Sequence, residues 1–197
     1  EQAARLKEIA AVFLELELHY LIDLFSLKYH LPWHKRFHSK DIIDNSHAHP
    51  ETIRQIFERL GGGFLKLGQL LALRPDLVGV EYAKSFEKLL DHVEPVEWDE
   101  LKESIVKYLP EGINSFKRID KNPIASGSIA QVHKAVLHNG TTVAVKVRRP
   151  GIEKTFHGDI AIMYSFTKIL SKRYNLEFMN PKEVVEEFQV YTLKELD

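Results

Sequence analysis

The sequence has no cysteine among its 197 residues, which excludes disulfide cross-links and thiolate chemistry. It also has no surplus of charge: 27 Lys and Arg stand against 28 Asp and Glu, a formal net charge of −1. Binding a nucleic-acid backbone calls for a clear basic excess, so no nucleic-acid partner is expected. Long apolar runs are missing too. Residues 9–14, IAAVFL, are followed at once by Glu15, Glu17, His19 and Asp23, and no window approaches the ~20 apolar residues of a membrane span. The first residues are acidic and helical instead of forming a basic n-region, so no signal peptide is read. A cytoplasmic or peripheral membrane-associated placement is expected. Internal repeats and low-complexity tracts are absent. The chain lacks an initiator Met and stops within a helical pattern, which reads as a piece of a longer protein.

What is present suits a globular fold: 44% apolar and 28% charged residues can bury a core. Leu6, Ile9, Val12, Phe13, Leu16, Tyr20 and Leu24 recur at helical spacing and predict an amphipathic helix over 3–25. Residues 26–50 are irregular. Pro50 suits a first helical turn and Pro75 a stop, so a second helix is predicted from 50 to about 74. Shorter helices are expected over 81–92 and 98–109. The period then changes to that of strands, over 115–119, 130–137 and 141–148, with Asn139-Gly140 as a hairpin signal between the last two. Helices return over 151–174 and 181–197. The fold class predicted is α+β: a helical part, 1–113, followed by a small sheet with helices, 114–197.

The chemistry concentrates in one stretch. Ala125-Ser126-Gly127-Ser128-Ile129-Ala130-Gln131-Val132 matches the kinase pattern G-x-G-x-x-G-x-V in register, with alanine at the first and third glycine positions. The following strand ends in Val143-Ala144-Val145-Lys146, the counterpart of the V-A-I-K lysine that holds nucleotide phosphates. A hairpin loop can converge backbone N–H groups on phosphate oxygens, and a strand lysine adds positive charge. Val143, Val145 and Val147 share one face of the strand; Ala144 and Lys146 share the other, where small Ala144 leaves room for a flat ligand. The competing reading is an ordinary hairpin with a solvated lysine.

These residues, together with Lys66-Leu67-Gly68-Gln69 and the terminal Glu195-Leu196-Asp197, resemble the UbiB or AarF-domain family of atypical protein-kinase-like proteins. The resemblance runs from about residue 5 to the last residue. It implies a kinase-like N-lobe preceded by a helical extension carrying a K-x-G-Q helix. It further implies that Ala125, Ser126, Gly127, Ser128, Ile129, Ala130, Val132, Ala144 and Lys146 bind ATP or ADP, and that Lys146 and Glu195 form the catalytic ion pair. Any Mg²⁺ ligands would belong to the full-length protein, beyond these residues. The full protein would be an ATPase or phosphotransferase supporting isoprenoid-quinone (ubiquinone) biosynthesis or related lipid metabolism, with a membrane lipid or quinone-pathway enzymes as partners. A nucleotide-sensing pseudokinase scaffold without phosphotransfer is the alternative, and a purely structural helical protein is a second. The catalytic-loop and D-F-G elements are not among these residues, so this stretch alone should not turn over.

On a continuous helix from 50 to 74, Ile53, Phe57, Leu60, Phe64, Leu67 and Leu71 form a core stripe, while Lys66 and Gln69 lie on another side with Leu65 and Leu73. Buried polar ends there need partners, and the resemblance assigns Lys66 and Gln69 a regulatory place over the nucleotide cleft. The run Gly61-Gly62-Gly63 costs a helix ~1 kcal/mol per residue, which a close approach of another backbone would explain. Alanine disfavours positive φ, so the loop is expected to be stiffer than a glycine loop, with Gly127 restoring some freedom. His34, His38, His47 and His49 lack acids at ligand spacing, so no metal site is expected. His133 reads as structural.

Overall fold

The computed structural model describes residues 2–32, 49–90, 93–173 and 180–196. They form two compact units, a helical one of residues 1–89 and 155–197 and a sheet unit of 90–154. His34, His38, His47 and Asp197 lie outside the described residues.

The helical unit opens with α1 (Gln2–Glu15) and α2 (His19–Leu24), where periodicity predicts one helix. Glu17 takes φ +58°, and the Leu18 N–H turns back to the Phe13 carbonyl at 2.8 Å. The kink keeps Ile9, Phe13 and Ile22 in the core together. The second expected helix is broken as well, into α3 (Pro50–Leu60) and α4 (Gly62–Ala72). Pro50 does occupy the first turn of α3, and the His49 ring accepts from the Glu51 N–H. Gly61 and Gly62 sit at φ +58° and +51°, a region in which only glycine is unstrained.

Close approach explains the rest of the glycine run, by side chains where another backbone is expected. A Cβ on Gly62 would lie 2.8 Å from the Thr155 methyl, and one on Gly63 would lie 2.8 Å from Asp159 Cβ. Both neighbours belong to α8 (Ile152–Arg173). Asp159 is fully buried; it accepts the Gly63 N–H at 2.8 Å, capping α4, and binds Arg5 Nε at 2.7 Å. Burial pushes the Asp159 carboxyl above its ordinary range, against the pull of Arg5 and the Gly63 N–H. Arg5 also reaches the Leu60 carbonyl at 2.8 Å, so one buried ion pair joins α1, α3, α4 and α8.

Pro75 starts a short α5 (Pro75–Val78), followed by α6 (Val80–Phe86) and a 3₁₀ turn at Glu87–Leu89. The expected helix over 81–92 is thus shorter. In α9 (Pro181–Leu196), Phe188 stacks on Phe156 of α8 with centroids 6.4 Å apart. An apolar cavity of about 320 Å³, walled by Phe13, Phe25, Phe64, Leu67 and Phe166 among others, lies within this unit. No helix among the described residues is long and apolar enough to cross a membrane.

In the sheet unit, β3 (Ala130–Val136) is central. It pairs antiparallel along its length with β4 (Thr142–Arg148), and at its two ends with β1 (Arg118–Ile119) and β2 (Ala125–Ser126). The β3–β4 turn places Gly140 at φ +88°, and Asn139 Oδ1 accepts from the Thr141 N–H at 3.0 Å, the roles this dipeptide predicts. The expected strand over 115–119 shrinks to β1, because a 3₁₀ turn occupies Gly112–Ser115.

Beneath the sheet runs α7 (Trp98–Tyr108). Its Leu101 and Ile105 form a core with Val147, ringed by Trp98, Leu109, Phe116 and Val145. This helix, read from sequence order as part of the region 1–113, therefore packs on the strands, and the compact boundaries fall at 89/90 and 154/155. The same sheet face buries Gln131 and His133 completely. His133 Nδ1 donates to the Asp120 carbonyl at 2.9 Å, which leaves Nε2 to accept from the Gln131 amide at 3.4 Å. Gln131 also accepts from the Val96 N–H and donates to the Val96 carbonyl. His133 is thus a structural residue that ties the turn after β1 to the central strand, while Gln131 ties the segment before α7 to it.

Candidate functional site

Strand register builds the site. Ala125 stands opposite Val132 and Val132 opposite Lys146, so the three form one row across β2, β3 and β4. Side chains in such a row share a face, here the face turned away from α7. Ala144 lies on the same face two residues before Lys146. Ala125, Ala144 and Lys146 are exposed and Val132 is half-buried. No carboxylate among the described residues lies within ion-pair distance of Lys146. The row thus offers small and β-branched side chains beside an uncompensated ammonium.

The loop between β2 and β3 is a tight hairpin. The Gly127 N–H donates to the Ala130 carbonyl at 2.9 Å, with Ser128 and Ile129 at the tip. Both tip residues and Ala130 are buried, while Ser126 and Gly127 are half-buried. None of residues 125–130 has a positive φ. The alanines therefore sit in conformations that any L-residue adopts, and Gly127 does not use its extra freedom. A Cβ at Gly127 would meet only the Ala130 carbonyl oxygen, at 3.4 Å.

A residue that sequence reasoning passed over fixes this hairpin. Arg149 Nε donates to the Gly127 carbonyl at 2.8 Å, and Nη2 reaches Ser126 Oγ at 3.0 Å and the Glu94 carbonyl at 2.6 Å. The backbone N–H of Arg149 donates to the Ile129 carbonyl at 2.9 Å. In sequence, Arg148-Arg149-Pro150 looks like a solvated basic turn. The only available hint was an arginine one residue past the last register pair, Arg148 opposite Ala130, at the loop.

The remaining expected site residues gather in the helical unit. Lys66 Nζ lies 2.6 Å from the Glu195 carboxylate and 5.3 Å from the centroid of the Tyr191 ring. That carboxylate raises the Tyr191 phenol above its ordinary pKa. Gln69 donates to the Leu89 carbonyl at 2.9 Å. Gly68 is where Leu89 and Phe57 close in, at 2.6 and 2.7 Å from a would-be Cβ. Leu65 is buried but Leu73 is 70% exposed, because α4 ends at Ala72 and Leu73 is its C-cap. The structure thus brings Ala125, Val132, Ala144 and Lys146 together in one unit, and Lys66, Gln69 and Glu195 in the other.

An antiparallel four-stranded sheet with a hairpin loop leading to a strand lysine in register with the loop's valine is the architecture of a kinase-like N-lobe. Residues 88–197 match the ABC1 atypical kinase-like domain, a match that begins within two residues of the sheet unit. The chain belongs to the ABC1 atypical kinase-like family. A protein named "Probable protein kinase UbiB" from Marinobacter nauticus is 38% identical over 149 residues, 75% of this chain and 27% of that protein. One of the same name from Xylella fastidiosa is 35% identical over 161 residues, 81% of this chain and 29% of that protein. A solved complex of Rv3197 with erythromycin from Mycobacterium tuberculosis is 27% identical with a TM-score of 0.42, covering 72% of this chain and 36% of that one. The chain spans less than a third of the length of these curated relatives.

Proposed function

We propose that the sheet unit binds an adenine nucleotide, ATP or ADP, on the face that carries Ala125, Val132, Ala144 and Lys146. The observation that carries this reading is the direct pairing of Val132 with Lys146. It sets an apolar contact for a base beside a cation for phosphate, and that cation has no acidic partner among the described residues. The residues fit the group: Ala125 and Ala144 leave the face shallow, Val132 packs on the base, and Lys146 Nζ donates to phosphate oxygens. The nucleotide would supply a transferable phosphoryl group. In the full-length protein we assign this site to an atypical kinase-like ATPase or phosphotransferase serving isoprenoid-quinone or related lipid metabolism, in keeping with the UbiB-named relatives. Mg²⁺ would be held by residues beyond this chain. Within the helical unit, Lys66 and Gln69 take a regulatory role, Lys66 by fixing where the Glu195 carboxylate points and Gln69 by anchoring α4 to the turn at Leu89.

The test is Lys146→Ala in the full-length protein, titrated calorimetrically with ATP and with ADP. Lys146 is exposed, so melting temperature should hold. Affinity should fall roughly tenfold or more, the scale of a charge-assisted hydrogen bond at ~1.5–3 kcal/mol. Unchanged affinity for both nucleotides would overturn the assignment.

A further inference from the structure

Arg149 stands out among the cations of the sheet unit. It is half-buried, and its acceptors are two carbonyls and one hydroxyl, those of Gly127, Glu94 and Ser126. No carboxylate among the described residues pairs with it. Burial accordingly draws its pKa below the ordinary arginine value. Removing a guanidinium partly from water without an acid nearby is unfavourable unless its hydrogen bonds do something the fold needs.

Those bonds all converge on the hairpin tip and the segment before α7. Two nitrogens of one planar fork hold the carbonyl of Gly127 and the hydroxyl of Ser126, while the Arg149 backbone holds Ile129. The loop is therefore clamped at three points around the tip, Ser126, Gly127 and Ile129. The contact to Glu94 ties it to the same segment that Gln131 grips at Val96. A flexible hairpin lying over phosphates loses entropy on binding, and a clamp made beforehand removes that cost.

We propose that Arg149 is a positioning residue for phosphate binding: its guanidinium fork holds the 125–130 hairpin in the shape of this structure, so that phosphate affinity depends on it through the loop. This rests on the nucleotide reading of the same face. Adenosine shares the base and ribose with ADP and lacks its phosphates, so the two ligands separate loop positioning from general integrity of the lobe. Lysine keeps the charge but cannot bridge Gly127 and Ser126 at once, so Arg149→Lys separates the fork from the charge.

The experiment uses the full-length protein and calorimetric titration of Mg²⁺–ADP and of adenosine against the parent, Arg149→Met and Arg149→Lys. Both variants should lose about tenfold or more in ADP affinity, while adenosine affinity stays within roughly twofold. Equal ADP affinity in parent and Arg149→Met overturns the proposal. So does a parallel loss for ADP and adenosine with a lowered melting temperature, which marks a purely structural arginine. Full ADP affinity in Arg149→Lys also overturns it, since charge alone would then suffice. Should Arg149→Met fail to fold, Arg149→Lys and Ser126→Ala decide; Ser126→Ala removes one acceptor of the fork and should weaken ADP but not adenosine. A parent that binds neither ATP nor ADP defeats the nucleotide reading itself. A parent that binds while losing affinity only in Lys146→Ala defeats the Arg149 proposal alone.

Discussion

The paired cations of the helical unit and the two that flank the hairpin of the sheet unit are held in opposite ways. In the helical unit, Arg5, Arg54, Arg59, Lys66 and Arg74 all rest on carboxylates at 2.6–2.9 Å. In the sheet unit, the two cations that flank the hairpin, Lys146 and Arg149, have no such partner among the described residues. Paired charges fix helices that periodicity alone leaves loosely specified; unpaired ones leave a field directed at whatever anion arrives. The contrast is one of place: elsewhere in the sheet unit Arg118 does lie 3.4 Å from Asp120, and it is beside the hairpin that cations lack an acid.

The largest effect should come from breaking the buried pair. Asp159 is fully buried while Arg5 retains 18% side-chain exposure, so removing the acid leaves the guanidinium with Glu8, at 2.7 Å, and the Leu60 carbonyl alone, and uncaps α4. Asp159→Ala should cost about 3 kcal/mol, the low end of the penalty for halving a buried pair because Glu8 stays on Arg5, measured by urea unfolding with circular dichroism. Nucleotide titration of the sheet unit's face is the companion readout, and the contrast predicts that it changes far less than stability does. A loss below about 1 kcal/mol would mean that packing of Phe156 and Phe188, and not the ion pair, holds the helices.

The hairpin offers a smaller change of opposite sign. Gly127 occupies no positive-φ conformation, and an added Cβ would touch only the Ala130 carbonyl oxygen at 3.4 Å. Gly127→Ala should then stabilise the protein by roughly 0.4–1 kcal/mol, by reducing the freedom of the unfolded chain. A loss of stability would show that the loop needs the glycine after all.

This loop marks where the sequence was informative and where it was not. Alternating residues and the Asn139-Gly140 turn placed β3 and β4 within a residue, whereas the pairing of Val132 with Lys146 follows from a three-residue loop, 138–140, that closes Leu137 on Thr141. Such signals are local. The kinks at Glu17 and Gly61 escaped because apolar spacing continues in phase across them, so a one-dimensional period cannot tell one long helix from two. The glycine run did announce a close approach, but its partner, Asp159, lies 96 residues further on. Helix α7 was assigned by its place in the chain, whereas its stripe of Leu101 and Ile105 is satisfied by Val147 and Val145. Arg149 was missed for a related reason: a basic pair before proline looks the same whether it meets water or three main-chain and hydroxyl oxygens. The K-x-G-Q residues were legible as a motif, yet the partners of Lys66 and Gln69, Glu195 and the Leu89 carbonyl, come from elements that no spacing connects to them.

The smallest effect tests whether pairing in the helical unit extends usefully to its surface. Glu51, in the first turn of α3, accepts from Arg54 at 2.8 and 3.1 Å and from Lys88 at 3.2 Å. The Arg54 hydrogen bond, with Lys88 behind it, holds the Glu51 carboxyl down at about 2, below the ordinary glutamate value of about 4.3. A carboxyl depressed in the folded state stabilises above its unfolded pKa, and that stabilisation disappears as pH falls through the folded value. The melting temperature of the parent should therefore decline more steeply than that of Glu51→Gln between about pH 4.5 and 2. The site is exposed, so near neutral pH the gap should be small, and it should shrink further in about 1 M salt, where the Debye length is ~3 Å. Parallel melting curves across the acid range would show that surface pairing in α3 contributes nothing. The charge contrast between the units would then rest on the buried pair at Asp159 alone.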